Sequence, residues 1–251
     1  MAKAWSVLVG AMLVLGSGGV VLAEGIDETP GATVFLNRNG GVYRQGFDNA
    51  LTNTSPIISG VRAVPPFAGN DEDWRDILNR VRARFAPFDI SIVDVEPASP
   101  LRYIEAVVGG TPEMLGFSSD VLGVSPVYCQ PAATSIVFVF SAAVPGDNAR
   151  VAGTIVHEVG HAFSLDHEVL CKSPMGYVEG CGEKVFQPRT SACGEFAERP
   201  CFCGAPDQNA FDILIDAFGS RDGRLKPLPA SAQSEAAEPA AMCTLGAAEP
   251  E

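Results

Sequence analysis

All three histidines of this 251-residue chain lie in one short stretch, HEVGHAFSLDH, residues 157–167. On a helix, positions i and i+4 share a face, so His157 and His161 present two imidazoles to one point in space. Zinc takes neutral imidazole nitrogen readily, and catalytic zinc sites usually carry three protein ligands and one open position. His-Glu-x-x-His on a helix supplies two such ligands and, in Glu158, a carboxylate beside the metal. His167 would be turned away by a straight helix. The helix must therefore end before it, and residues 164–166 must turn the chain back. Three histidines placed at random would fall at this spacing in roughly one case in ten thousand, even before Glu158 is required.

These residues resemble the signature of the metzincin zinc endopeptidases, H-E-x-x-H-x-x-G-x-x-H followed by a Met-turn. His157, Glu158, His161 and His167 match it, and Met175 in Ser173-Pro174-Met175-Gly176-Tyr177 resembles the Met-turn. The short link from His167 to Met175 resembles matrixins, in particular a bacterial matrixin-like branch. The Ser-x-Met-x-Tyr form is similar to astacins and serralysins. The resemblance spans roughly residues 33–220 and is specific at 157–177. It implies one catalytic zinc ion on the three histidines, Glu158 as general base, and a peptide backbone extended along an edge strand near Leu122, Gly123, Val124 and Ser125. It also implies a tyrosine, Tyr177, that reaches the metal region and donates to the oxyanion. The alternative for Tyr177 is a turn residue that packs its ring and keeps its hydroxyl wet. One position departs from the family: Ser164 stands where the pattern has glycine. A left-handed conformation there costs a non-glycine residue about 1–2 kcal/mol.

The elements that must position these groups can be read from periodicity. Residues 33–37 read as a strand and 44–70, rich in Asn, Ser, Pro and Gly, as loop. Asn70 and the acids after it open a helix, with Trp74, Ile77, Leu78, Val81 and Phe85 on one buried face and Pro87 as its stop. Strands follow at 88–95 and 103–108. The segment 121–128 contains a proline, which suits an edge strand, and 135–140 is continuously apolar, as in a strand buried on both faces. Residues 150–164 form the strongest helix, with Val151, Ile155, Val159 and Ala162 in one row. Residues 208–218 read as the last helix. The expected class is α+β. The resemblance makes it a metzincin-like (zincin) fold: a twisted mixed sheet with an edge strand, an active-site helix and a disulfide-stapled C-terminal subdomain.

The ends of the chain read differently. Residues 1–23 have the charge, apolar run and small-x-small end of a signal peptide, with the catalytic domain expected at 24–222. Residues 223–251, mostly Ala, Pro, Ser and Glu, read as a low-complexity, disordered tail. The net charge of −13 should repel nucleic acid and anionic membranes. Seven cysteines in an exported chain point to disulfides. Five of them lie between 171 and 203, so that segment is expected to be stapled, and the odd count leaves one thiol over. A bridge from Cys171 to Cys181 would close the loop carrying Met175. A second zinc site from Cys193, Cys201 and Cys203 is the alternative that oxidation works against.

The expectation is a secreted, monomeric zinc-dependent endopeptidase acting on proteins or peptides, extracellular or periplasmic, with no nucleic-acid partner and no membrane association after signal cleavage. Calcium is allowed, but no motif indicates it. The competing readings are a catalytically silent zinc-containing binding or inhibitory module, a cysteine-stapled adhesion or inhibitor domain with incidental histidines, and a zinc hydrolase of non-peptide bonds.

Overall fold

A computed structural model of the chain describes residues 31–99 and 101–225, and the backbone of 241–246. The expected signal peptide, residues 1–23, lies outside the described residues. So does most of the expected tail.

The main sheet is mixed and six-stranded. Its strands are β1 (Ala32–Asn37), β5 (Ile90–Val93), β6 (Ile104–Val108), β7 (Val121–Val127), β8 (Ser135–Val139) and β11 (Ala241–Gly246), in the order β11-β7-β8-β6-β1-β5. The β5–β1, β1–β6 and β6–β8 pairs are parallel, and β7 runs antiparallel to β8. Alternate side chains leave a strand on opposite faces, so β1 feeds two cores. Val34 and Leu36 join the cluster under the helices, while Phe35 joins the cluster on the other face. Every residue of β8 is buried, as its unbroken apolar run required.

The helix α1 (Asp71–Phe85) begins where its cap residues say it should. The Asn70 side chain accepts from the Glu72 and Asp73 backbone amides, and Asp73 accepts in return from the Asn70 amide. The capping box satisfies amides that would otherwise lack a partner at the helix start. Trp74, Ile77, Leu78, Val81 and Phe85 are its buried residues, packed with α2 (Asn148–Ala162) and α3 (Ala210–Phe218) against the sheet. Asp147 caps α2 by accepting from the Arg150 amide.

Two expectations need correction. The segment 44–70 is not all loop. With the residues just before it, it forms a small sheet of β2 (Gly41–Gln45), β3 (Thr54–Ser55) and β4 (Val61–Val64). The short strands carry few apolar residues on their own. Tyr43, Ile57, Ile58 and Val64 become buried only by packing over the far face of the main sheet. The expected tail also contains a strand, β11, which pairs antiparallel with β7. Apart from β11, β7 is the outermost strand on that side of the sheet, as its Pro126 suggested.

Past α2 the chain is irregular, with only the two-residue strands β9 (Ser191–Ala192) and β10 (Asp207–Gln208) before α3. Disulfides hold it: Cys171–Cys181, Cys193–Cys201 and Cys129–Cys203, the last tying the segment to the end of β7. Thiolate ligation by Cys193, Cys201 and Cys203 is thereby ruled out, since all three sulfurs are bonded to sulfur. Six of the seven cysteines pair with one another, so the seventh, Cys243 on β11, has no cysteine of this chain left to join. No helix among the described residues is long and apolar enough to cross a membrane.

Candidate metal centre

The helix α2 carries His157, Glu158 and His161 near its C-terminal end, all fully buried. Its exit brings His167 back. The Ser164 amide donates to the His161 carbonyl at 2.9 Å and the Leu165 amide to the Gly160 carbonyl at 3.0 Å. That pair of bonds is a Schellman motif, which needs a left-handed residue just past the helix. Ser164 fills the role with φ of +74°. Serine therefore adopts the conformation the family's glycine would take, and the chain reverses within two residues.

The three imidazoles converge. His161 Nε2 lies 3.0 Å from His157 Nε2 and 3.1 Å from His167 Nε2. Each Nδ1 has an acceptor: the Pro174 carbonyl at 3.0 Å for His157, the Leu165 carbonyl at 2.7 Å for His161, and Glu195 Oε1 at 2.7 Å for His167. Carbonyl and carboxylate oxygens only accept, so each Nδ1 carries the proton and each Nε2 presents a lone pair. Burial reinforces neutrality. It lowers the His161 pKa to about 4 and that of His167 to about 2, and holds His157 well below its ordinary value. Three buried lone pairs within 4.8 Å of one another repel unless a cation lies among them. The donor set and spacing suit zinc, whose bonds to histidine nitrogen are about 2.0–2.1 Å in a tetrahedral arrangement. These three residues could hold a metal ion.

Behind His167 stands a group of residues that sequence reasoning missed. Glu195 Oε1 also accepts from Arg199 Nη2 at 2.9 Å. Arg199 grips Asp166 through both terminal nitrogens at 2.7 Å, and Asp166 accepts from the His167 and Phe202 amides. Such partners of a ligand imidazole fix its tautomer and ring orientation. Glu195 and Arg199 sit inside the loop closed by Cys193–Cys201. Their distance along the chain from the histidines left no pattern to detect.

Met175 lies under the centre. It is fully buried, and a Cβ on Gly160 would come 2.4 Å from its sulfur. Gly160 is thus the gap in α2 that admits the turn. The Tyr177 ring stands edge-on to His157 and His167, with centroids at 5.9 and 4.7 Å. On the other side, β7 crosses the helix so closely that a Cβ on Gly123 would lie 2.6 Å from Glu158 Oε1. Gly123, flanked in the strand by Leu122, Val124 and Ser125, therefore lies directly against Glu158. An open cavity of about 480 Å³ reaches this strand at Leu122 and is lined also by Arg150, Thr154, His157, Tyr177 and Lys184 among others. The residues singled out from sequence are brought together here.

No protein-family model matches the sequence, and no curated protein matches it. Solved structures give faint likenesses. Two are structures of myroilysin. One has a TM-score of 0.27 at 12% identity, over 57% of this chain and 52% of that one. The other has a TM-score of 0.26 at 14% identity, over 55% and 45%. A third is high choriolytic enzyme 1, a hatching enzyme zinc-protease from Oryzias latipes (Medaka fish), with a TM-score of 0.25 at 14% identity, over 57% and 50%. The matched region thus spans about half the length of those chains. Likeness at this level locates no residue, and the centre stands on its own geometry.

Proposed function

We propose that the chain is a secreted zinc-dependent endopeptidase of the metzincin kind, with its single catalytic zinc on His157, His161 and His167. The observation that carries the reading is the convergence of three buried, proton-free Nε2 atoms, with the Glu158 carboxylate one residue along the same helix. Zinc held there by the three histidines would lower the pKa of a water molecule and polarise a carbonyl. Glu158 takes the proton of the attacking water and delivers it to the leaving amine nitrogen. In this reading its carboxylate, which lies against Gly123, acts on a backbone extended along Leu122 to Ser125. A peptide entering that cleft pairs with β7 as an added strand, through main-chain hydrogen bonds. In this reading Tyr177, whose ring stands edge-on to two of the histidines, donates its hydroxyl to the oxyanion. The three disulfides suit an oxidising compartment and support secretion.

Glu158→Gln tests the reading. The variant should keep stoichiometric zinc and its melting temperature while losing about 10²–10⁴-fold in turnover of a peptide library. A loss below about threefold removes Glu158 from the role of base.

A further inference from the structure

In the reading above, β7 receives the substrate backbone on the side away from β8. In the folded chain that side is already paired. β11 runs antiparallel to β7, with Met242 opposite Pro126, Cys243 opposite Ser125, Thr244 opposite Val124 and Leu245 opposite Gly123. β11 also packs beside α2, the helix that bears Glu158. Leu245 thus pairs with Gly123, whose missing side chain leaves room for the Glu158 carboxylate, and Thr244 pairs with the next residue, Val124. A strand edge offers one row of amides and carbonyls, and two backbones cannot pair with the same row.

We propose that residues 241–246 are an intramolecular occupant of the peptide-binding edge, which keeps extended peptides out until the segment is displaced or removed. The proposal rests on the reading of this cleft as the substrate site.

Three features fit a reversible occupant. The segment, AMCTLG, carries no charge, so no ion pair locks it to a strand that is also uncharged, VLGVSPV. Pro126 offers no amide, so the ladder lacks a donor opposite Met242. The register also shifts between Leu245 and Gly246, which ends regular pairing after Leu245. The segment belongs to the same chain as β7, so its pairing is intramolecular and a peptide must compete with it for the edge.

The test uses the zinc-loaded full chain and a full-length variant carrying Cys243→Pro and Thr244→Pro. Neighbouring residues of an antiparallel strand point their amides to opposite sides, so one of the two prolines must remove a bond to β7. The probe is a fluorescent hexapeptide, Ala-Met-Ser-Thr-Leu-Gly, read by anisotropy. The variant should bind it at least about fivefold more tightly than the unaltered chain does. KM for a peptide substrate should fall by a similar factor with kcat within about twofold, as removal of a competitor requires. If the prolines disturb folding, a specific protease site placed between Glu235 and Ala236 and cut after folding releases the strand instead. Equal probe binding with the strand held and released overturns the proposal. Tighter probe binding on release, with no peptide cleavage by either form, upholds the occupied edge and defeats the endopeptidase reading.

Discussion

Replacing Glu195 by alanine should weaken zinc binding although Glu195 is not itself expected to touch the metal. The carboxylate accepts the His167 Nδ1–H at 2.7 Å and is bridged by Arg199 to Asp166. Its loss leaves a buried imidazole, about 4% exposed at the side chain, without the partner that fixes its tautomer. Removing such a partner typically costs 10–100-fold in metal affinity. Glu195 is itself 37% exposed, so water can take over part of its role. The expected loss is therefore near the lower end, about tenfold or 1.4 kcal/mol. The assay is competition with a chromophoric chelator at pH 7. Glu195→Gln, which keeps an acceptor oxygen, should recover most of the affinity. A purely structural role would lower the melting temperature of the metal-free protein and leave the chelator titration unmoved. Affinity within twofold of the unaltered chain for Glu195→Ala would refute the reasoning.

The remaining predictions concern the centre and its frame. Burial lowers the folded-state pKa of His161 to about 4 and of His167 to about 2 and holds His157 well below its ordinary value, so protons should compete little for the imidazoles between pH 7 and 5. Zinc affinity of the folded protein should therefore stay flat over that range once the chelator's own titration is allowed for, and a loss with its midpoint near pH 6.5 would contradict it. In the metal-free protein the sign is set by the unfolded chain, which binds protons below about pH 6.5 while the folded chain does not. The histidine contribution to stability is then present above pH 6.5 and lost as pH falls toward about 4, with each histidine contributing up to about 1.4 kcal/mol per pH unit. Ser164→Gly relieves a residue at φ +74° and should raise stability by about 0.5–1 kcal/mol, a gain of about 2–4 °C at most in melting temperature; a decrease would count against the strain. Gly123→Ala places a methyl 2.6 Å from Glu158 Oε1 and 2.7 Å from Thr154 Cγ2. Peptidase turnover should drop at least about tenfold with zinc content retained, because the displaced carboxylate is the proposed base; unchanged turnover would show that β7 does not set its position.

The histidine spacing was legible without any structure because an α-helix converts i and i+4 into one face by local geometry alone. The same holds for α1, whose cap at Asn70 and apolar row from Trp74 to Phe85 are local, and for the apolar run that became β8. The sequence also showed that the chain must reverse between His161 and His167, and the left-handed Ser164 is how it does so. What it could not show depends on residues that meet only through folding. Glu195 and Arg199 reach His167 across a disulfide-closed loop, and no periodicity links 157 to 195. Gly160 and Gly123 look like ordinary glycines until Met175 and Glu158 fill the space their missing side chains leave. The small sheet β2–β3–β4 has too few apolar residues of its own to announce itself and is stable only against the far face of the main sheet. Composition made residues 223–251 read as tail, yet a short uncharged strand needs only an open edge to pair with, and the open edge of β7 is a property of the tertiary fold.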